Sequence, residues 1–125
     1  MTLPMTANQQ RTTWDRYSAA WKAPTREEKK AALRESTNAN AIYRDPLVET
    51  ADQTALVDYM LAFHQQIPGG HFEVTSFQAH HDRCFARWNM LSKEGAVLGV
   101  GHSFGEFDPD GMLRAMTGFF ETPPQ

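Results

Sequence analysis

Asp45 stands directly before Pro46, at the end of the short run Ala41-Ile42-Tyr43. Proline biases the residue before it toward extended backbone and gives no N–H to a sheet, so a strand should end at Asp45. A carboxyl at a strand end can point into a pocket, and apolar walls there suit it to moving protons. The same dipeptide also opens turns, so a purely structural Asp45 is the alternative. Tyr17 is the second group of interest. With Trp14 and Trp21 it lies on one helical stripe, where a phenol is either core or a hydrogen-bond donor toward a pocket.

The histidines and arginines carry weaker chemistry. His80-His81-Asp82 has ligand-type side chains, but adjacent turn residues rarely converge on one ion and no third histidine is suitably spaced, so no metal site is expected. His102 alternates with Leu98, Val100 and Phe104 and therefore faces away from Ser103, toward the outside of a sheet. His64 falls late in a helix, where it complements the C-terminal end or lies at the surface. Arg83 and Arg87 are able to bind an acidic substrate, although arginines on a sheet face are usually solvated or ion-paired.

Three helices must position these groups. The first runs from Gln9 to Lys22 and is closed by Pro24. Thr25 and Glu28 have the spacing of a capping box and start a second helix, highly charged and expected to be mostly solvated, which stops near Ser36-Thr37-Asn38. Thr50 and Gln53 form another capping-box pair ahead of Leu56, Tyr59, Met60, Phe63 and Ile67 at helical spacing, ended by Pro68-Gly69-Gly70. From His71 onward the pattern has period two. Strands are expected over 71–79, 83–91, 96–107 and 112–120, with turns at His80-His81-Asp82, Ser92-Lys93-Glu94-Gly95 and Asp108-Pro109-Asp110-Gly111. Gly99, Gly101 and Gly105 share one face of the third of these strands, which allows bending or leaves room for a ligand or another backbone. Three helices and a short strand, then four strands in a meander, imply an α+β architecture: a helical layer on a curved, mostly antiparallel sheet whose cone has a ligand pocket at its mouth.

Composition narrows the function. The 125 residues suit one domain, expected over 9–121 with a frayed start at 1–8 and a tail at 122–125. A net charge of -3 and the lack of any basic cluster longer than Lys29-Lys30 argue against nucleic acid or an anionic membrane as partner. The opening ten residues have neither the positive start nor the apolar run of a signal peptide, and no run approaches the ~18 apolar residues of a membrane span. Cys84 is the only cysteine, which suits a reducing compartment, and a cytoplasmic location is expected.

The order of elements, Tyr43-x-Asp45-Pro46, Pro68-Gly69 before a strand, Arg87-Trp88 within one, and Phe107-Asp108-x-Asp110-Gly111 before Gly118-Phe119-Phe120 together resemble the nuclear transport factor 2-like (NTF2-like) superfamily. The likeness is greatest to its SnoaL-like polyketide cyclase and ketosteroid isomerase-like branch. It implies the cone-shaped, cystatin-like fold and a cofactor-free isomerase, cyclase or lyase. In ketosteroid isomerases a helix tyrosine and a protonated acid hold an oxyanion while an aspartate before proline moves the proton. Tyr17 and Asp45 match two of those positions, and Ser103 stands where the acid would be. Polyketide cyclases of the branch pair an acid with a sheet histidine, a part open to His80, His81 or His102. Catalysis is thus expected from Asp45 and Tyr17. Tyr43, Phe63, Arg87, Trp88, Ser103, Phe107 and Phe119 are the expected contacts to a small hydrophobic substrate. The alternative is a module of the same fold that binds a ligand or a partner without turnover. An apolar outer face with Leu98, Val100 and Phe104 implies a homodimer through the sheet.

Overall fold

In a computed structural model, residues 5–121 are described, and three helices lie against one six-stranded sheet. Helix α1 spans Ala7–Lys22, α2 Arg26–Ser36 and α3 Gln53–Gln66. Strands β1 (Thr37–Asp45) and β2 (Val48–Thr50) form a hairpin between α2 and α3. Then come β3 (His71–His80), β4 (Arg83–Leu91), β5 (Val97–Phe107) and β6 (Leu113–Phe119). The sheet order is β2-β1-β6-β5-β4-β3, so the last four strands are a meander, and β1 joins it in parallel beside β6. No helix among the described residues is long and apolar enough to cross a membrane.

Local chemistry accounts for the helix ends. Thr6 caps α1 reciprocally: its hydroxyl accepts from the Gln9 N–H and its own N–H donates to the Gln9 side chain, so the helix starts at Ala7, ahead of the expected Gln9. Thr6 to Asn8 thus belong to the capped start of the helix, while residues 1–4 of the expected frayed start, and the expected tail, lie outside the described residues. Thr25 caps α2 as its spacing requires. The expected cap of α3 is corrected. Asp52, not Thr50, accepts from the Ala55 N–H, because Thr50 is held in β2 opposite Tyr43. Buried there, the Thr50 hydroxyl has no hydrogen-bond partner among the described residues.

The picture of α2 as a mostly solvated helix also needs correction. Lys29 is fully buried, and its ammonium donates to the carbonyls of Ala20 (3.1 Å) and Ala23 (2.6 Å) at the end of α1. It also meets Nδ1 of His64 on α3 at 3.1 Å, while Nε2 of that ring lies 2.9 Å from the Gly70 carbonyl. One side chain therefore ties together three helices and the approach to β3.

The inner sheet face carries Cys84, Ala86 and Trp88 of β4; Cys84 and Ala86 join Trp14, Tyr17 and Trp21 of α1 in one core, and Trp88 meets Phe72 of β3 edge-on. The glycine row of β5 serves this packing. A Cβ on Gly101 would overlap the Trp88 ring, and one on Gly105 would lie 2.7 Å from the Cys84 sulfur, so the glycines make room for β4 side chains and the core. On the outer face, Phe104 and Phe119 are half-exposed and His102 stacks on Phe85.

Candidate active site

Asp45 ends β1, and the two residues Pro46 and Leu47 turn the chain into β2. The carboxyl builds that turn: its Oδ1 accepts from the N–H groups of Leu47 (2.8 Å) and Val48 (3.1 Å). Its Oδ2 accepts from two phenols, Tyr43 on the same strand at 2.6 Å and Tyr59 on α3 at 2.8 Å. The turn reading and the pocket reading of Asp45 therefore hold together, because one oxygen serves the backbone and the other faces side chains. Among the described residues no lysine, arginine or histidine pairs with it; Arg44, next in sequence, pairs with Glu49 instead.

A cavity of about 400 Å³ opens beside this group, between the inner sheet face and helices α1 and α3. Tyr17, Tyr43, Asp45, Phe63, Trp88 and Ser103 all line it, so six of the nine residues singled out in the sequence meet at one site. The other three do not. Arg87 lies on the outer face, where its Nε donates to His102 at 3.2 Å, because β4 alternates and Trp88 takes the inner position. Phe119 pairs with His102 and is half-exposed on that same outer face, and its neighbour Phe120 lines the cavity in its place. Phe107 is on the inner side but buried in the core, clear of the cavity.

The hydroxyls around the cavity have fixed roles. The Trp21 indole donates to the Tyr17 oxygen at 3.1 Å, and the Trp88 indole donates to Ser103 Oγ at 3.0 Å. Each hydroxyl thus accepts from a tryptophan, and among the described residues neither donates its own proton to anything. Both protons are available to a guest. Burial pushes the Tyr17 phenol far above its ordinary pKa; the Trp21 hydrogen bond opposes this and the Asp45 charge adds to it. Burial also raises Tyr43, helped by the neighbouring Tyr17 and by the Asp45 charge and hydrogen bond. Tyr59 is raised by burial and then by its bond to Asp45. All three phenols therefore stay protonated at neutral pH and act as donors.

Ser103 belongs to the same cluster. A Cβ built on Gly118 would lie 3.6 Å from Asp45 Cβ, 3.7 Å from Ser103 Oγ and 3.7 Å from the Tyr43 hydroxyl oxygen. Register explains the meeting: Gly118 pairs with Ser103, and β1 runs beside β6 with Arg44 opposite Thr117. Much of the remaining wall is aromatic, with Ile67, Val74 and Met90 beside the rings and Gln66 and Glu121 also among the lining residues. Trp21 packs edge-on against Tyr59, Phe63 and Phe72, and Phe72 meets Trp88 in the same way. The site as a whole offers two unspent donors, a carboxylate carrying two phenols, and flat apolar walls.

Tyr59 and Trp21, expected only as members of helix stripes, and Phe72, on the β3 strand, also line the cavity. The signal for Tyr59 was present: it occupies the same stripe as Phe63, and a phenol on an apolar stripe needs a partner. The His80-His81 pair is exposed, with its two Nδ1 atoms 3.2 Å apart, and among the described residues no cluster of three metal-ligating side chains forms.

The sequence matches no protein-family profile and no curated protein. Solved structures do match. One from Agrobacterium tumefaciens, described as "a putative isomerase of the SnoaL-like family", superposes with a TM-score of 0.84 at 22% identity, covering 92% of this chain and 99% of that one. An NTF2-like protein of unknown function from Cytophaga hutchinsonii gives 0.68 at 11% identity, with 97% and 95% covered. A "putative ketosteroid isomerase" from Kribbella flavida gives 0.64 at 22% identity, with 95% and 85% covered.

Proposed function

We propose that this chain, whose fold is that of the NTF2-like superfamily, moves a proton next to the carbonyl of a small, flat, hydrophobic substrate, with Asp45 as the base. The observation that carries this reading is the carboxylate at the cavity wall, unpaired with any cation among the described residues, beside two hydroxyls whose protons are unspent. A ketone oxygen accepts from Tyr17, with Ser103 as a second donor, and these bonds strengthen as the oxygen gains charge on enolisation. The indoles of Trp21 and Trp88 fix the two hydroxyls from behind, so the donors are in place before the substrate arrives. Names of structural neighbours that include an isomerase of the SnoaL-like family and a ketosteroid isomerase support the same class of chemistry. The direction the proton then takes, to another carbon, to a leaving group or through ring closure, separates isomerase, lyase and cyclase outcomes.

A suitable probe is 2-tetralone, a flat ketone with acidic hydrogens next to its carbonyl. In deuterium oxide the protein should speed the loss of its C1 and C3 proton signals, and 2-naphthol, which has the shape of the enol, should block this. Exchange no faster than in buffer would remove the proposal.

A second reading draws on the full set of hydrogen bonds around Asp45, which equally suits a structural turn anchor in a binding module. Under that reading 2-tetralone binds and nothing exchanges. In either case a second copy of the chain is proposed to cover the outer face, where Phe104 and Phe119 are half-exposed, whereas Leu98 and Val100, expected on that face, are among the residues that line the cavity. On the outer face Arg83 and Arg114 are both paired with Asp82 and Glu106, which leaves that end of the face without net charge to repel a copy of itself. Light scattering at micromolar concentration should give the mass of a dimer, and a monodisperse monomer would contradict it.

A further inference from the structure

A carboxylate has about four lone-pair positions. Asp45 fills all of them: Leu47 and Val48 N–H groups on Oδ1, Tyr43 and Tyr59 hydroxyls on Oδ2. A base with every acceptor position occupied cannot take a proton until one donor leaves. The two backbone donors belong to the turn between β1 and β2 and cannot withdraw without opening that hairpin. Tyr43 lies two residues before Asp45 on the same strand, is buried, and packs its ring against Trp21. Tyr59 shares the contact with Trp21, and both phenols line the cavity, but it differs in element and in burial. It comes from a separate element, α3, and is only partly buried.

We infer that Tyr59 is a switchable donor: at rest its hydroxyl occupies Asp45 Oδ2, and on binding it moves to the oxygen of the substrate, freeing the lone pair that receives the substrate's proton. The inference rests on the proposed role of Asp45. The step balances within the site. The C–H bond next to the carbonyl breaks, its proton bonds to Asp45 Oδ2, and its electron pair remains on the substrate as an enolate. The enolate oxygen accepts from Tyr59 alongside Tyr17, and no proton leaves either phenol. Burial and the hydrogen bond to Asp45 keep the Tyr59 phenol protonated, so once it leaves the carboxylate it needs another acceptor close by. The switch therefore selects substrates in which an acceptor oxygen lies one bond from the acidic carbon, as in a ketone, and discriminates against hydrocarbons of the same shape. It also keeps the base covered in the empty pocket.

The test compares 2-tetralone with tetralin, its oxygen-free counterpart, in the wild type, Tyr59→Phe and Tyr43→Phe. The wild type should bind 2-tetralone more tightly than tetralin. Tyr59→Phe should change affinity for 2-tetralone only slightly, because the bond gained to the ketone is offset by the bond given up at Asp45, and for tetralin not at all. The infrared carbonyl stretch of bound 2-tetralone should lie at lower frequency in the wild type than in Tyr59→Phe. Tyr43→Phe, which leaves Tyr59 in place, should keep the low frequency. Equal loss of both ligands in Tyr59→Phe, an unchanged carbonyl stretch, or no wild-type preference for the ketone would each overturn the switch. The role of Asp45 is judged separately. If Asp45→Asn abolishes exchange while Tyr59→Phe behaves as wild type, only the switch fails; if Asp45→Asn exchanges normally, the underlying reading fails.

Discussion

Asp45 and Lys29 are two charged groups held without an opposite charge among the described residues, and their surroundings differ in one respect. Asp45 is ligated by two N–H groups and two phenols, Lys29 by two carbonyls and an imidazole nitrogen. Oriented neutral dipoles satisfy each charge in place of an ion pair. The ammonium, however, is closed in among three helices, whereas the carboxylate opens on a cavity. The first arrangement is a structural pin. The second leaves a charge within reach of a guest, which is the condition for chemistry.

Removing both unspent donors should break the reactive side of this comparison severely. Tyr17→Phe combined with Ser103→Ala should slow 2-tetralone exchange by roughly 10²–10³-fold, with a tetralin affinity close to wild type, because the lost bonds act on the oxygen alone. Donors irrelevant to the chemistry would leave the exchange rate unchanged. A smaller effect is expected from Gly118→Ala. The new methyl meets Asp45, Ser103 and Tyr43 at ordinary contact distances, so it should fold with little change in melting temperature. It fills the space between base and donor, and exchange should fall roughly tenfold through misplacement of the substrate. Unchanged exchange would move the substrate elsewhere in the cavity.

The pin is tested by pH. Burial lowers Lys29 from its ordinary pKa of 10.5 to about 8. The unfolded chain therefore holds this proton more tightly than the folded one, and the cost of burying the charge is fully present below pH 8. It fades as pH rises from 8 toward 10.5, so stability linked to Lys29 increases across that window. The raised tyrosines above pH 10, and the buried Cys84 thiol from about pH 9, act in the opposite sense, because only the unfolded chain then ionises them; they cancel in the difference from Lys29→Met, which is measured between pH 8 and 9.5. Urea unfolding over that range should show the wild type gaining stability relative to Lys29→Met. Parallel pH curves would mean that the ammonium is not desolvated.

The element pattern was legible because period and turn chemistry are local. Cys84, Ala86 and Trp88 face inward as their alternation requires, and Gly69 and Gly111 take the positive φ that ends a helix or closes a turn. What escaped were facts set by register and by partners distant in sequence. Strand β2 has three residues and no pattern of its own, and it exists because Asp45 turns the chain back on β1. Phe119 and Phe120 were indistinguishable until β5 fixed which of them faces in. Lys29 sits among charged residues and reads as solvated, since the carbonyls that hold it belong to another helix. In the site, Asp45 and Tyr17 stood out from residue type and position, while Tyr59 needed the carboxylate to be placed beside it.

The proposed chemistry depends most on Asp45 taking a proton from carbon. Deuterium exchange of 2-tetralone by Asp45→Asn, with tetralin binding followed in the same sample, tests this directly. The amide keeps the shape but cannot act as the base, so tetralin should bind as in the wild type while exchange falls by roughly 10²–10⁴-fold, to the buffer rate. Exchange at the wild-type rate in a variant that still binds tetralin would contradict it.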